Sequence, residues 1–372
     1  MAAAAIFGCA VIVPSVCLAQ IGAEFSLDFS SRGLLASVRQ ASLLATLLAC
    51  GWMAQKHGKA PFLSAGMVMI AVGMACLALA PDHATVLVAQ AIVGVGCGAL
   101  EALVNALVAD IHWRSPAGPL NIVNGMYSVG LVAAALVTGE MVHAGYAWRA
   151  TPWPWVFPAL AVAMLFATRG YPVAQSDGRG RAGMAFLRRP LFWVLMLAMV
   201  IGGGCEAGLT IWCTNFTEAE LGATPRMGAL ITAFFGAFMA AGRFGGSAAV
   251  RRVTAPLLVA GSAVGCAAAT AGLSFVQDTV AAWCLFALGG LLVACFWPTL
   301  LAIAVERVQA GSTAMMALLG AAGITGCTVF PWAIGALGDR VGLRGGLAVM
   351  PVSLLVLASL CGAIWWRGRR GR

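Results

Sequence analysis

Ionisable side chains are scarce in this sequence. Only 9% of its 372 residues are Asp, Glu, Lys or Arg, against roughly 25% in an ordinary soluble domain. A water-facing shell cannot be built from so few charges, which excludes a soluble globular fold. The four histidines (His57, His83, His112, His143) stand singly at the ends of apolar stretches, and none of the twelve cysteines forms a CxxC pair. Zinc and redox centres need convergent ligands, so no metal site is expected, and the cysteines read as small, polarisable packing residues. No GxxxxGKS/T loop is present to cradle nucleotide phosphates, so neither ATP nor another cofactor is expected. No convincing nucleophile–base pair shares one depth, which argues against an enzyme.

What is present is apolar. Hydrophobic residues make up 61% of the chain and mean hydropathy is +0.94, a composition that also excludes disorder. A membrane helix needs about 20 such residues to cross a core of ~30 Å. Spans are predicted near 3–23, 32–55, 61–80, 84–109, 117–142, 153–168, 190–216, 226–249, 255–275, 279–304, 312–336 and 346–366. The first lacks the basic n-region and small-residue cleavage site of a signal peptide and is expected to be retained. The only long polar stretch, 169–189, divides the spans six and six. The expected fold is therefore an all-α integral membrane protein. Its twelve transmembrane helices would form two pseudo-symmetric six-helix bundles, 1–168 and 190–372, joined by a basic connector.

Charge orients the spans. Lys and Arg outnumber Asp and Glu by 22 to 13, for a net charge of +9. With twelve crossings, sixteen of the 22 basic residues fall on the side that holds both termini and the connector. The positive-inside rule makes that side cytoplasmic, and a bacterial inner (plasma) membrane is the expected location. The basic excess is thus a topology signal, and no nucleic acid is expected. The partners expected are a lipid bilayer, a small solute and a coupling proton, with the chain acting as a monomer.

A charge at mid-membrane costs about 2.5–3.5 kcal/mol on insertion scales and by default marks function. Glu101 lies in the fourth span, about 6 Å past its midpoint, with Asn105 on the same face at i+4. Desolvation favours the protonated form of a buried carboxyl, so Glu101 can exchange a proton near neutral pH. The competing reading is a structural hydrogen bond between helices. Glu206 lies near the middle of the seventh span behind Gly202, Gly203 and Gly204, which could unwind the helix there. Thr210 follows at i+4. Trp212 could be a platform for a sugar or an interface anchor. Arg39 in the second span shares the depth of Glu206 and could pair with it, bind an anion, or pair structurally with Glu140. In the fifth span Asn124, Tyr127 and Ser128 form one polar stripe, while Asn121 sits near the span's end as a gate or cap.

Two glycine-flanked basic turns occupy matching places in the two halves. They are GWMAQKHGK over 51–59, with Gly51, Lys56, Gly58 and Lys59, and GRFGGSAAVRR over 242–252, with Arg243. Their matched positions suggest a shared gate or hinge. The first resembles the loop 2–3 signature of the major facilitator superfamily, with Gln55 where the signature carries Asp. GVGCGALEALVN (94–105), LNIVNGMYSVG (120–130), EAGLTIW (206–212), FWPT (296–299) and PWAIGALGD (331–339) resemble the fucose/proton symporter branch and related sugar transporters. That branch's first-span carboxylate has no counterpart in 3–23, and Tyr127 stands where it carries an amide. The resemblance implies a sugar or sugar-like solute moved with protons, with Glu101 as the first coupling candidate and Glu206 as the second. Efflux or exchange of an organic anion or amphipathic compound is the alternative.

Overall fold

A computed structural model describes residues 1–111, 117–168, 184–249, 253–308 and 313–370. Among them there is no strand. The helices are α1 (Ala2–Val16), α2 (Leu18–Glu24), α3 (Phe29–His57), α4 (Ala60–Ala78), α5 (His83–Ile111), α6 (Ala117–His143) and α7 (Trp153–Thr168) in the N-terminal half. The C-terminal half has α8 (Pro190–Leu221), α9 (Pro225–Ala249), α10 (Ala255–Leu273), α11 (Thr279–Val293), α12 (Phe296–Val308), α13 (Thr313–Gly346) and α14 (Val349–Arg370).

Ten stretches are long and apolar enough to cross a membrane, and the bent pair α1–α2 makes an eleventh. The twelfth is α9, whose 25 residues give a rise of about 37 Å despite Arg226 and Arg243 within it. All twelve expected spans are thus helical. Three depart from straight rods. Pro14 removes a backbone donor late in α1, and the chain turns by 46° between α1 and α2, where the Cys17 thiol meets the Thr151 hydroxyl. The tenth span is broken between α11 and α12, just ahead of Pro298. The eleventh runs ten residues past the expected end because Gly342 turns the chain at φ +79° and a further helical turn follows.

Within the N-terminal half α3 and α4 both pack on α5, α7 on α4, and α1 on α6; in the other half α8 packs on α13, α10 on α14 and α11 on α9. Two seams join the halves, α3 against α13 and α6 against α9. The α3–α13 seam is close because a side chain at Gly33 would strike the Pro331 carbonyl, and one at Gly335 the Phe29 carbonyl. Ser37 adds a 2.5 Å bond to the Thr328 carbonyl.

The end of the molecule opposite the basic termini is latched. Asp339 at the far end of α13 accepts from the first amides of α3, Phe29 at 2.6 Å and Ser30 at 2.9 Å. An acidic side chain on a helix N-terminus satisfies orphan N–H groups and the helix dipole. Asp28 caps the same turn through the Ser31 amide at 2.8 Å, and the Ser31 hydroxyl and amide hold its carboxyl below the ordinary aspartate range. At the other seam Arg226 pairs with Glu140 at 2.7 Å. Replacing Asp339 by Ala should loosen this contact by about 0.5–2 kcal/mol, the usual worth of a helix cap. Hydrogen exchange should then quicken at the Phe29 and Ser30 amides; unchanged exchange would mean that the seam is held elsewhere.

Candidate functional site

Polar side chains from both halves converge at mid-depth. Glu206 on α8 and Arg243 on α9 form an ion pair of 2.8 Å, and their side chains stay 18% and 22% exposed. Arg243 also reaches the other half. Its second terminal nitrogen lies 3.4 Å from the Ser128 hydroxyl on α6, and its guanidinium sits 5.8 Å from the centre of the Tyr127 ring. Tyr127 is fixed from behind by the edge of Phe7, 5.2 Å between centroids. Glu101 on α5 is half-buried and within electrostatic reach of both Arg243 and Glu206. Arg243 thus faces one carboxylate of its own half and a carboxylate, a phenol and a hydroxyl of the other.

Arg243 was expected in a basic turn at the membrane surface. Because α9 continues to Ala249, six residues beyond it, the guanidinium enters the bilayer about 9 Å before the helix ends and joins the central cluster. Asn105 lies one turn beyond Glu101, its carbonyl oxygen buried without a partner. Asn124 is exposed and makes interactions of its own. Thr210 turns its hydroxyl back to the Glu206 carbonyl at 2.7 Å.

Arg39 pairs with neither expected partner, since Glu206 holds Arg243 and Glu140 holds Arg226. It is 1% exposed and donates to Gln90 on α5 at 3.1 Å. Two further expectations change. The glycines before Glu206 do not unwind the span, because α8 is helical throughout. They admit neighbours instead, Gly203 the backbone at Gly323 and Gly204 the Phe330 ring. Trp212 is neither a chamber platform nor an interface anchor. It is fully buried, donates to the Pro331 carbonyl at 3.1 Å and meets the edge of Phe29, so it belongs to the latched end.

Of the expected gate, Gly58 closes α3 at φ +79° and Lys59 begins α4. The side chains of Gly51, Lys56 and Asn121, and the backbone at 250–252, lie outside the described residues. The sequence reading passed over Gln90, whose only signal is an amide in an otherwise apolar stretch, seven residues before Cys97. Among the described residues there is no group of His, Cys, Asp and Glu able to hold a metal. The Glu206–Arg243 pair gives a direct test. In a double-mutant cycle of Glu206→Gln and Arg243→Gln, thermal unfolding in detergent should show non-additivity of roughly 0.5–3 kcal/mol; strict additivity would mean that the pair is not formed.

A family model described as Major Facilitator Superfamily matches residues 1–315. The cyanate transport protein CynX of Escherichia coli (strain K12) is 25% identical over 233 residues, which span 60% of this chain and 59% of that protein. The chain thus matches about three fifths of the length of that curated relative. Among solved structures, a bacterial homologue of the human lysosomal transporter Spinster, inward-facing and occupied, is similar with a TM-score of 0.83. The identity is 17%, with 97% of this chain and 94% of that one covered. A D-xylose-proton symporter gives 0.79 at 14% identity, covering 97% and 95%. Likeness at these identities is likeness of fold.

Proposed function

The chain belongs to the major facilitator superfamily; from that premise we propose that it is a membrane transporter, not an enzyme, and that it moves a small polar solute by alternating access, coupled to protons. The observation that carries this reading is the Glu206–Arg243 pair, half-open at mid-depth and facing Glu101, Tyr127 and Ser128 across the seam. A cation placed between carboxylates of two halves can change partner as the halves move, which ties solute and proton binding to that movement. The rocking units are 1–168 and 190–372, joined by the connector 169–189. Among the described residues, close approaches between them lie at the latched end and the middle. The basic residues support an inner-membrane protein with both termini cytoplasmic, working as a monomer.

Two solute classes meet this chamber. A sugar-like solute is implied by the sequence resemblance, and Asn105, Asn124, Tyr127 and Ser128 offer it hydrogen bonds. An anion is favoured by Arg39 and Arg243, and a relative named for cyanate transport points the same way. The arginines weigh more, because a neutral sugar leaves Arg39 without a counter-charge. Purified protein in liposomes, screened over sugars and organic acids with and without a pH gradient, tests the reading. Proton movement should accompany solute and should vanish in Glu101→Gln while persisting in Glu206→Gln. The reverse pattern would move the coupling site to Glu206, and solute flux with no proton signal would remove proton coupling.

A further inference from the structure

Arg39 on α3 is the most deeply buried cation among the described residues, 1% exposed. One terminal nitrogen donates to the Gln90 carbonyl oxygen on α5 at 3.1 Å. Its Nε and its other terminal nitrogen have no hydrogen-bond partner, and neither has the Gln90 amide nitrogen, in a residue that is 0% exposed. Three buried donor groups therefore gather at one place with a full positive charge. Among the described residues no ion pair to Arg39 exists. The groups that face it electrostatically are Cys97 on α5, Tyr127 on α6 and Cys327 on α13, thiols and a phenol that are uncharged near neutral pH in their ordinary state. Beside it lies a narrow cavity of about 10 Å³ between α1, α3, α5 and α8, framed by Ser15, Arg32, Leu35, Gln90 and Ile211. Arg32 is a second cation there, and no acid lines the space.

An uncompensated buried cation with spare donors is the half-built form of an ion pair. We propose that Arg39 and the Gln90 amide form the receptor for a small monovalent anion, which the chamber carries together with one proton. This deepens the transporter reading and rests on it. The cavity holds at most about one water molecule, less than a polyatomic anion needs, so binding requires the helices around Arg39 to part, and an anion of few atoms asks the least of them. The charge count sets the coupling. Arg243 is already paired with Glu206, which leaves Arg39 and Glu101, among the described residues, as the two central charges without a partner of opposite sign beside them. An anion alone would leave the chamber negative in a low-dielectric setting, whereas an anion plus a proton on Glu101 restores neutrality. Glu101 is faced by Arg243 from α9, Glu206 from α8, Cys97 from α5 and Cys327 from α13, so among the described residues the one cation facing it is already held by Glu206.

The test uses the full-length purified chain with sodium formate, nitrate and acetate at constant ionic strength, and a neutral hexose as control. At least one anion should bind saturably, with affinity falling tenfold or more in Arg39→Gln and in part recovered in Arg39→Lys. Arg39→Gln should melt no lower than the unmodified chain, since it removes a charge without a counter-charge; a purely structural arginine would give a lower melting temperature. Gln90→Leu is a second route to the same loss of affinity. In liposomes, anion flux should carry one proton and ignore an imposed membrane potential, and Glu101→Gln should make it potential-dependent. Binding unaltered in Arg39→Gln and Gln90→Leu, or no binding by any of the three anions, would overturn the proposal. Proton-linked flux of the hexose with no anion bound would sink the anion site and leave the transporter standing. Anion binding with no flux of any solute would do the opposite.

Discussion

An ionised side chain inside a bilayer is costly unless it finds a partner, and the partners available set how the two halves meet. Glu206 finds Arg243 within its own half, and Arg243 then extends to Ser128 and Tyr127 of the other. Glu140 and Arg226 do the same across the second seam at the latched end. These pairs stand where the halves approach each other, so a change of charge at the centre acts directly on the surfaces that join them. The apolar remainder of the chain supplies two packed bodies but has no preference of its own about how they face each other, because lipid tails are as apolar as the helix faces they compete with.

Close approach is the second requirement. Interfaces between membrane helices gain little from the hydrophobic effect and depend on backbone contact and hydrogen bonds. The α3–α13 seam shows both, with Gly33 and Gly335 letting carbonyls touch the facing helix and Ser37 bonding the Thr328 carbonyl. Trp212 completes it from α8, its ring filling the corner between Phe29 and Pro331. A large aromatic side chain was easy to mistake for a binding surface in the sequence, since indole serves packing, anchoring and recognition with the same atoms.

The fold was legible because hydropathy and length decide it. The span expected at 153–168 coincides with α7, and the others differ mainly at their ends. What escaped were features set by geometry that has no periodic signature. The bend at Cys17 and the extension of α13 past Gly342 depend on single residues whose effect is tertiary. The importance of Glu101, Glu206 and Arg39 was readable from the cost of charge in lipid, but their pairing was not. Depth along a helix is a one-dimensional estimate, and it placed Arg39 level with Glu206 without saying which way either side chain turns. Arg243 was read as juxtamembrane because the turn after it is basic; the length of α9 decides otherwise.

Asp339 ties the start of α3 to the end of α13 through two backbone amides. A conformation in which that seam parted would expose two unlike charges at once, the Asp339 carboxylate on one rim and the positive pole of a long helix beside Arg32 on the other. Their attraction pulls the two rims back together, so the latch resists its own release.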